Sequence, residues 1–224
     1  MPGRKKFNRF RVEKPTPNIL AKYALVYEAE KLYRQPDTYM SLSSANLFDN
    51  DHPLVFDLGS GRGEFLLRQA EMAPNKNFVG IDLHWKSIYD SVNKLNEVAL
   101  PNLKFVRADL RWIFNIVPDL TVETVYLLFP APVMKKRYRN RDVVTADFLR
   151  QVHRILQKGG TFHFVTDSQP FYEKKQQLLA DLNLFPTVKQ ATSYEGGQTR
   201  YQQYWEGFDV LSWRADYQKW SAEN

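Results

Sequence analysis

Residues 55–65 constrain the fold of this chain more than any other stretch, because they join a short apolar run to three closely spaced glycines. The sequence there is Val-Phe-Asp-Leu-Gly-Ser-Gly-Arg-Gly-Glu-Phe, and the residues after it have a helical pattern. A strand that enters a glycine-rich turn and continues as a helix is the nucleotide-binding element of doubly wound α/β sheets. The stretch therefore predicts an α/β fold with a nucleotide-like ligand; a plain tight connection is the alternative interpretation of the turn.

The residues of this turn distinguish among nucleotide ligands. Its glycines are Gly59, Gly61 and Gly63, whereas a dinucleotide fingerprint, G-x-G-x-x-G, needs a glycine where Glu64 stands. Glu64 would also repel a pyrophosphate at the helix N-terminus. Asp57 would instead attract an ammonium group. S-adenosylmethionine (SAM) has an amino-acid end, a ribose and no phosphate, so these residues favour SAM.

Two further carboxylates follow predicted strands. Asp82 ends a strand predicted at 77–82 and lies 19 positions after Gly63, where a doubly wound fold binds ribose hydroxyls. Asp109 comes just after a strand predicted at 103–107 and could accept a hydrogen bond from the adenine amino group. The carboxyl ends of parallel strands meet at one edge of a sheet. Asp57, Asp82 and Asp109 together therefore predict a SAM pocket.

Helical and strand patterns alternate along the chain, which predicts a doubly wound, mostly parallel sheet of seven strands with helices on both faces. The predicted strands are 54–58, 77–82, 103–107, 122–129, 161–166, 187–194 and 204–213, the last two forming a hairpin around Gly196-Gly197. The predicted helices are 18–34, 62–72, 84–99, 110–117, 143–157 and 169–183. This division predicts a basic, flexible leader (1–17), an N-terminal helix and linker (18–53), and one α/β domain (54–217).

Positive charge is concentrated in two short segments. The net charge is +6, but residues 4–14 and residues 135–141 each carry a local charge of +5, which leaves the remainder at −4. Clustered Lys and Arg side chains are typical of surfaces that bind a phosphate backbone. A solubilising tail and a solvated loop are the alternatives. The second segment follows a strand on the predicted ligand side, and it favours a polyanionic substrate.

Several classes of protein and site are not expected. The chain has no cysteine, which excludes disulfides and thiolate metal sites. Its four histidines show no metal-ligand spacing, and His163 has no acid or serine arranged beside it in the sequence. No run of about 18 apolar residues predicts a membrane span, and the charged start lacks the apolar core of a signal peptide. We therefore expect a cytoplasmic protein without a metal.

Residues 129–138, Phe-Pro-Ala-Pro-Val-Met-Lys-Lys-Arg-Tyr, resemble the signature F-P-D-P-W-x-K-[KR]-R-H of bacterial tRNA (guanine-N7)-methyltransferases. The resemblance spans roughly 54–213 and includes the glycine turn, Gly80-Ile81-Asp82, Thr166-Asp167 and Thr192-Ser193-Tyr194-Glu195. It implies the class I SAM-dependent methyltransferase fold. It also implies methyl transfer from SAM to N7 of a guanosine in tRNA, usually in the variable loop.

The resemblance assigns roles to individual residues. The cofactor-binding residues that it implies are Asp57, Gly59, Gly61, Gly63, Asp82, Asp109 and Phe129. The residues that it implies for the nucleotide substrate are Lys135, Lys136, Arg137, Asp167, Thr192 and Glu195. Of these, Asp167 and Glu195 are the candidate catalytic residues.

One residue departs from the family signature where chemistry is expected. The signature aspartate is replaced by Ala131, and its tryptophan by Val133. Guanine N7 has a lone pair and no proton, so its methylation requires no general base. Loss of one positioning group typically slows an enzyme by orders of magnitude without abolishing activity. The alternatives are a weakly active or inactive relative that binds SAM and tRNA, and a methyltransferase that acts on another RNA position or on a small molecule.

Overall fold

The computed structural model of this chain describes residues 11–133, 142–191 and 212–220. Its strands are β1 (Ala24–Val26), β2 (Leu54–Leu58), β3 (Asn77–Asp82), β4 (Leu103–Arg107), β5 (Val122–Leu128), β6 (Leu156–Thr166), β7 (Thr187–Ala191) and β8 (Trp213–Gln218). Its α-helices are α1 (Pro17–Tyr23), α2 (Ala29–Arg34), α3 (Ser44–Phe48), α4 (Glu64–Met72), α5 (Trp85–Val98), α6 (Ala146–Ile155) and α7 (Gln169–Leu182). Short 3-10 helices occur at Pro36–Thr38 and Ile113–Ile116.

The strands form one sheet in the order β1-β4-β3-β2-β5-β6-β8-β7. All pairings from β1 to β6 are parallel, and β8 runs antiparallel between β6 and β7. This arrangement confirms the predicted doubly wound, mostly parallel sheet. The described residues contain eight strands rather than the predicted seven.

The additional strand, β1, interrupts the helix that was predicted over 18–34. Ala24–Val26 pair in parallel with residues 105–107 of β4, and the backbone N–H of Tyr27 donates to the carbonyl of Arg107 at 2.9 Å. Pairing with a strand about 80 residues away therefore overrides the helical period of the local sequence. The predicted linker, 35–53, likewise contains α3.

The structure confirms that the two C-terminal strands, β7 and β8, form an antiparallel pair. Residues of β7 face residues of β8 from Thr187 opposite Gln218 to Ala191 opposite Arg214. The prediction placed the second strand at 204–213, of which the structure describes only the last two residues. The described strand starts at Trp213 and extends to Gln218, because these residues occupy the position between β6 and β7.

Each face of the sheet has its own apolar core. One core joins the sheet to α6 and α7, and the other joins it to α1, α4 and α5. The central strand β2 is buried along its whole length, as a parallel strand covered on both faces should be. In the second core, α4 approaches β3 so closely that a Cβ atom on Gly80 would lie 2.8 Å from the Leu66 side chain. This packing fixes the turn between β2 and α4, which lies at the carboxyl edge of the sheet. Among the described residues, no helix is both long enough and apolar enough to span a membrane.

Candidate functional site

A cleft of about 320 Å³ opens at the carboxyl edge of the sheet, beside the end of β2. The chain leaves β2 toward β3 on one side, while β5 flanks β2 on the other, so the cleft lies where the strand order reverses. Open α/β sheets bind their ligands at such a point, and the volume is in the range of small-molecule sites. The residues that line the cleft are Leu58, Gly59, Asp82, Leu83, His84, Asp109, Leu110, Leu127, Leu128, Phe129, Pro130, Ala131 and Val143.

The predicted glycine turn borders this cleft, and its glycines serve different purposes. Gly59 has a φ of +86°, and a Cβ atom there would meet nothing within 4 Å. Gly63 has a φ of +75°, and a Cβ atom there would lie 2.7 Å from the Phe105 ring and 2.8 Å from the Ser91 hydroxyl. Gly59 thus leaves room beside the cleft, whereas Gly63 permits close packing of the turn against the sheet and α5.

The Asp82 carboxylate is held at the cleft by two backbone N–H groups. The amide of His84 donates to one oxygen at 2.7 Å, and the amide of Gly61 donates to the other at 3.0 Å. Burial raises the pKa of Asp82, although these hydrogen bonds oppose the shift. A carboxylate oxygen can accept more than one hydrogen bond. Asp82 is therefore fixed in direction and still able to accept from a ligand.

Asp109 lies on the same cleft and forms a local ion pair. The Arg111 guanidinium donates to both of its oxygens, at 2.5 Å for the shortest contact, and the Arg111 backbone N–H donates at 2.9 Å. The hydrogen bonds from the Arg111 side chain lower the pKa of Asp109 in spite of partial burial. Asp109 is consequently ionised at neutral pH and acts as an acceptor.

Asp57 is buried near the end of β2 and does not line the open cleft. Its side-chain oxygen Oδ1 is buried and has no hydrogen-bond partner among the described residues. Burial, and to a smaller extent the nearby charge of Asp82, raises the pKa of Asp57 to about 8. A buried acceptor without a partner is unfavourable. The site therefore suits a ligand that brings a cationic donor.

The end of β5 forms the opposite wall and contains a strained residue. Phe129 has a φ of +52°, and its backbone N–H donates to the carbonyl of Val165 at 2.8 Å. A left-handed conformation costs a bulky residue about 1–3 kcal/mol and is found preferentially at functional sites. Two residues further on, Ala131 is exposed on the cleft wall, where its methyl group cannot accept a hydrogen bond.

Asp167 follows β6 directly at the same carboxyl edge, but it does not line the cleft. The N-cap of α7 is Ser168, whose backbone N–H donates to the Thr166 hydroxyl at 3.2 Å. The other substrate residues from the sequence lie outside the described residues and stay predictions: Lys135, Lys136, Arg137, Thr192 and Glu195.

A polar row that sequence reasoning missed crosses the sheet from the site. Residues 57, 126, 163 and 216 are successive partners in β2, β5, β6 and β8. The His163 ring stacks on Tyr126, and its Nδ1 lies 2.6 Å from Asp216 Oδ1, which also accepts from Arg214 at 2.8 Å. His163 therefore has an acid beside it in the fold that the sequence does not indicate. No spacing rule could find this pair, because 53 residues separate its members. Within the described ranges, the acids and histidines form no cluster able to hold a metal ion.

Comparisons with known proteins agree with this geometry. The family model described as "Putative methyltransferase" matches residues 51–209. The tRNA (guanine-N(7)-)-methyltransferase of Rubrobacter xylanophilus is 32% identical over 207 residues, covering 91% of this chain and 93% of that protein. The protein of the same name from Chloroherpeton thalassium is 31% identical over 171 residues, covering 76% of each. The solved structure of the 16S rRNA methyltransferase KamB aligns with a TM-score of 0.59 at 17% identity, covering 78% of this chain and 91% of that one. That likeness shows the methyltransferase fold.

Proposed function

Because this chain belongs to the family of tRNA (guanine-N7)-methyltransferases, we propose that it methylates N7 of a guanosine in the variable loop of tRNA. It is a SAM-dependent methyltransferase. The set of three carboxylates at the switch point of the sheet carries the cofactor part of this proposal, and the similarity to proteins named tRNA (guanine-N(7)-)-methyltransferase supports the substrate. Each carboxylate has the environment that one part of SAM requires.

The three carboxylates fit three different groups of SAM. Oδ1 of Asp57, which has no hydrogen-bond partner among the described residues, would accept from the ammonium group, and this buried atom would thereby gain a cationic partner. Asp82, held by two backbone amides, would accept from the ribose hydroxyls. Asp109, kept ionised by Arg111, would accept from the adenine amino group. When bound, SAM supplies a methyl group on a sulfonium, an electrophile that needs no metal for activation.

The glycine turn and Phe129 would complete the cofactor site. Gly59 leaves open space beside the cleft, so the backbone there can approach a ligand closely. Gly61 connects the turn to Asp82 through its N–H, and Gly63 fixes the turn by packing. Phe129, in its strained conformation, forms the wall opposite the turn.

The chemistry asks little of the protein beyond positioning. Guanine N7 has an in-plane lone pair and no proton, so no general base is needed. The protein must hold the base in line with the methyl group and tolerate positive charge on the purine. We assign Asp167 and Glu195 to the guanine edge, where they would supply negative charge. The lack of a carboxylate at Ala131 is therefore compatible with turnover.

The basic segments provide the RNA contacts in this proposal. Lys135, Lys136 and Arg137 would bind phosphates next to the target guanosine, and Thr192 would contact the nucleotide. Charge neutralisation of this kind makes affinity fall steeply with salt. A protein that modifies tRNA has its substrate in the cytoplasm, and we propose that location. The division into leader (1–17), N-terminal segment (18–53) and methyltransferase domain (54–217) also stays a proposal.

Ala131 supports a second candidate function. An alanine on the cleft wall removes a group that the family signature supplies, which would suit a relative that binds SAM and tRNA with little turnover. A methyltransferase for another RNA position would share the same cofactor site. The three possibilities differ in where, and whether, a methyl group appears.

The deciding experiment is methyl transfer from labelled SAM to an unmodified tRNA transcript, followed by nucleoside analysis. We expect label in 7-methylguanosine, and loss of that label when the variable-loop guanosine is replaced by adenosine. Asp82→Asn should abolish transfer as a cofactor-site control. Label in another nucleoside would refute the N7 assignment. Absence of label, with SAM and tRNA both bound, would establish the binding relative instead.

A further inference from the structure

A cluster of charged residues joins α5 to the back of the glycine turn, away from the cleft. Arg62 Nε lies 2.5 Å from Asp90 Oδ2, and Lys94 Nζ lies 2.7 Å from the same oxygen. Lys94 also reaches Glu64 Oε1, at 2.6 Å. The charged side chains are 12–26% exposed, so this is a partly buried network. The cofactor assignment uses none of its members.

The same face of α5 also holds the backbone of the turn. The Ser91 hydroxyl donates to the Gly61 carbonyl at 3.3 Å, and Lys94 Nζ donates to the Arg62 carbonyl at 3.1 Å. Residues 90 and 94 are one helical turn apart and residue 91 lies beside them, so these side chains project from one face. Consecutive carbonyl groups of the turn are thus fixed from α5.

The glycine turn also holds Asp82, the carboxylate that is assigned to the ribose hydroxyls. While the carbonyl of Gly61 accepts from Ser91, its N–H donates to Asp82 Oδ2 at 3.0 Å. A displacement of the turn would therefore move the donor that aims Asp82. Ser91 on α5 is therefore connected to Asp82 through the two backbone hydrogen bonds of Gly61.

The network is better suited to fixing geometry than to adding stability. Partly buried ion pairs lose much of their Coulomb energy to desolvation and are often replaceable by apolar residues at little cost. Burial alone would raise the pKa of Asp90, but hydrogen bonds from Arg62 and Lys94 outweigh burial and lower that pKa. The acid is therefore ionised at neutral pH, and both cations are held in fixed positions.

We propose that Asp90, Ser91 and Lys94 are positioning residues for SAM. They hold the glycine turn from α5 and, through the N–H of Gly61, keep Asp82 aimed at the ribose. This inference rests on the cofactor and not on the RNA substrate. Binding of S-adenosylhomocysteine, which requires no RNA, can therefore fail or succeed independently of the proposed tRNA activity.

The test compares Lys94→Met with Lys76→Met as a matched control. Lys76 forms a similar ion pair, 2.5 Å from Glu123 at the opposite edge of the sheet, with 35% and 26% of the side chains exposed. Calorimetry with S-adenosylhomocysteine should show a Kd about tenfold higher for Lys94→Met than for the wild-type protein. A factor of about ten is the usual contribution of one hydrogen bond, here one that holds the glycine turn in its binding conformation. Lys76→Met should leave the Kd unchanged, and Lys94→Arg should recover most of the affinity.

Kinetics and a smaller substitution complete the design. In Lys94→Met, the KM for SAM should rise while kcat at saturating SAM and the KM for tRNA stay the same. Ser91→Ala removes only one oxygen atom from a helix, so it should fold even if Lys94→Met does not, and it should also raise the Kd. Wild-type affinity in folded Lys94→Met and Ser91→Ala would overturn the proposal. An equal loss of affinity in Lys76→Met would overturn it as well.

Discussion

Asp57 is buried close enough to Asp82, an acid that lines the cofactor cleft, to be influenced by its charge. Burial first, and the charge of Asp82 second, raise the pKa of Asp57 to about 8. Asp82 receives two backbone hydrogen bonds, whereas Oδ1 of Asp57 has no partner among the described residues. At neutral pH, the cofactor-free protein therefore holds Asp57 mainly in its protonated form.

Ligand binding should release the proton of Asp57. Its contact with the ammonium group of S-adenosylhomocysteine favours the ionised carboxylate, so at pH 7 binding should expel close to one proton. The affinity for S-adenosylhomocysteine should then rise between pH 6 and pH 7. An α-amino group titrates only at about 7.7–8.0, so the ligand keeps its positive charge over this interval and the change reports Asp57. Calorimetry in buffers of different ionisation enthalpy measures the released proton directly.

Asp57→Asn is the control for this measurement. The amide cannot ionise, so the variant should bind more weakly and release no proton over the same range. A binding enthalpy of the wild-type protein that is independent of the buffer would contradict the assignment of Asp57 to the ammonium group.

The same raised pKa predicts how stability depends on pH without cofactor. The pKa of Asp57 is about 8 in the folded protein against an ordinary value of 3.8, so between these values the folded state binds the extra proton. Its contribution to the free energy of unfolding is complete below pH 3.8 and is lost as pH rises toward 8, by at most about 1.4 kcal/mol per pH unit. In urea unfolding, the free energy of unfolding of Asp57→Asn should increase relative to that of the wild-type protein as pH rises from 4.5 to 7.5.

Lys175 should affect RNA binding without touching the cofactor. It is 3% exposed on α7, and its Nζ donates to Asp142 Oδ2 and to the carbonyl of Val144, both at 2.6 Å. Asp142 is the first described residue after the basic segment 135–141, so this contact fixes the chain at the C-terminal end of that segment. Lys175→Met should lower the free energy of unfolding by about 3–5 kcal/mol, because Asp142 loses its cation.

A double substitution separates the two effects of Lys175. Lys175→Met with Asp142→Asn leaves no unpaired charge and should recover much of the stability. The KM for tRNA should nevertheless stay several-fold above the wild-type value, while the KM for SAM is unchanged. Recovery of both stability and tRNA affinity would contradict a role in presenting the basic segment.

The elements that could be predicted from the sequence are those whose signal is local. Strand β2 (Leu54–Leu58) is an uninterrupted apolar run because helices cover both of its faces. Asp82 and Asp109 could be placed at one edge because parallel strands bring their carboxyl ends together. The cleft residues at Phe129 and Ala131 came from the family signature, and the structure places both on its wall.

The features that could not be predicted depend on contacts between distant segments. Strand β1 exists because it pairs with β4, and no pattern within 24–26 distinguishes it from the helices on either side. His163 and Asp216 meet only because β8 lies beside β6. Lys94 resembles an ordinary solvated lysine on the polar side of a helix, and only the position of α5 against the glycine turn in the fold reveals its contacts with Arg62 and Glu64.

Two glycine substitutions should separate packing from ligand access in the turn. Gly63→Ala places a Cβ atom 2.7 Å from the Phe105 ring at a φ of +75°, so overpacking and backbone strain should cost about 2–4 kcal/mol of unfolding free energy. Gly59→Ala meets no protein atom within 4 Å and should cost about 1 kcal/mol, from its positive φ alone. Urea unfolding measures both values.

Binding should reverse the order of these two variants. The Cβ atom of Gly59→Ala would project beside the cleft. We therefore expect this variant to lose much more binding free energy for S-adenosylhomocysteine than free energy of unfolding. A Gly59→Ala protein with wild-type affinity would show that the ligand does not approach this part of the turn.

Restoring the signature aspartate should change the rate only modestly. Ala131 is exposed on the cleft wall, so Ala131→Asp should alter the free energy of unfolding by no more than about 0.5 kcal/mol. Because N7 has no proton to remove, an added carboxylate can help only by positioning the base and balancing charge. We expect single-turnover methylation of tRNA to accelerate by less than about tenfold. Ala131→Asn, which can accept a hydrogen bond without a charge, separates these two contributions. A gain of about 10²–10³, the usual effect of a missing transition-state contact, would instead identify the natural chain as a relative that binds SAM and tRNA and has lost most of its turnover.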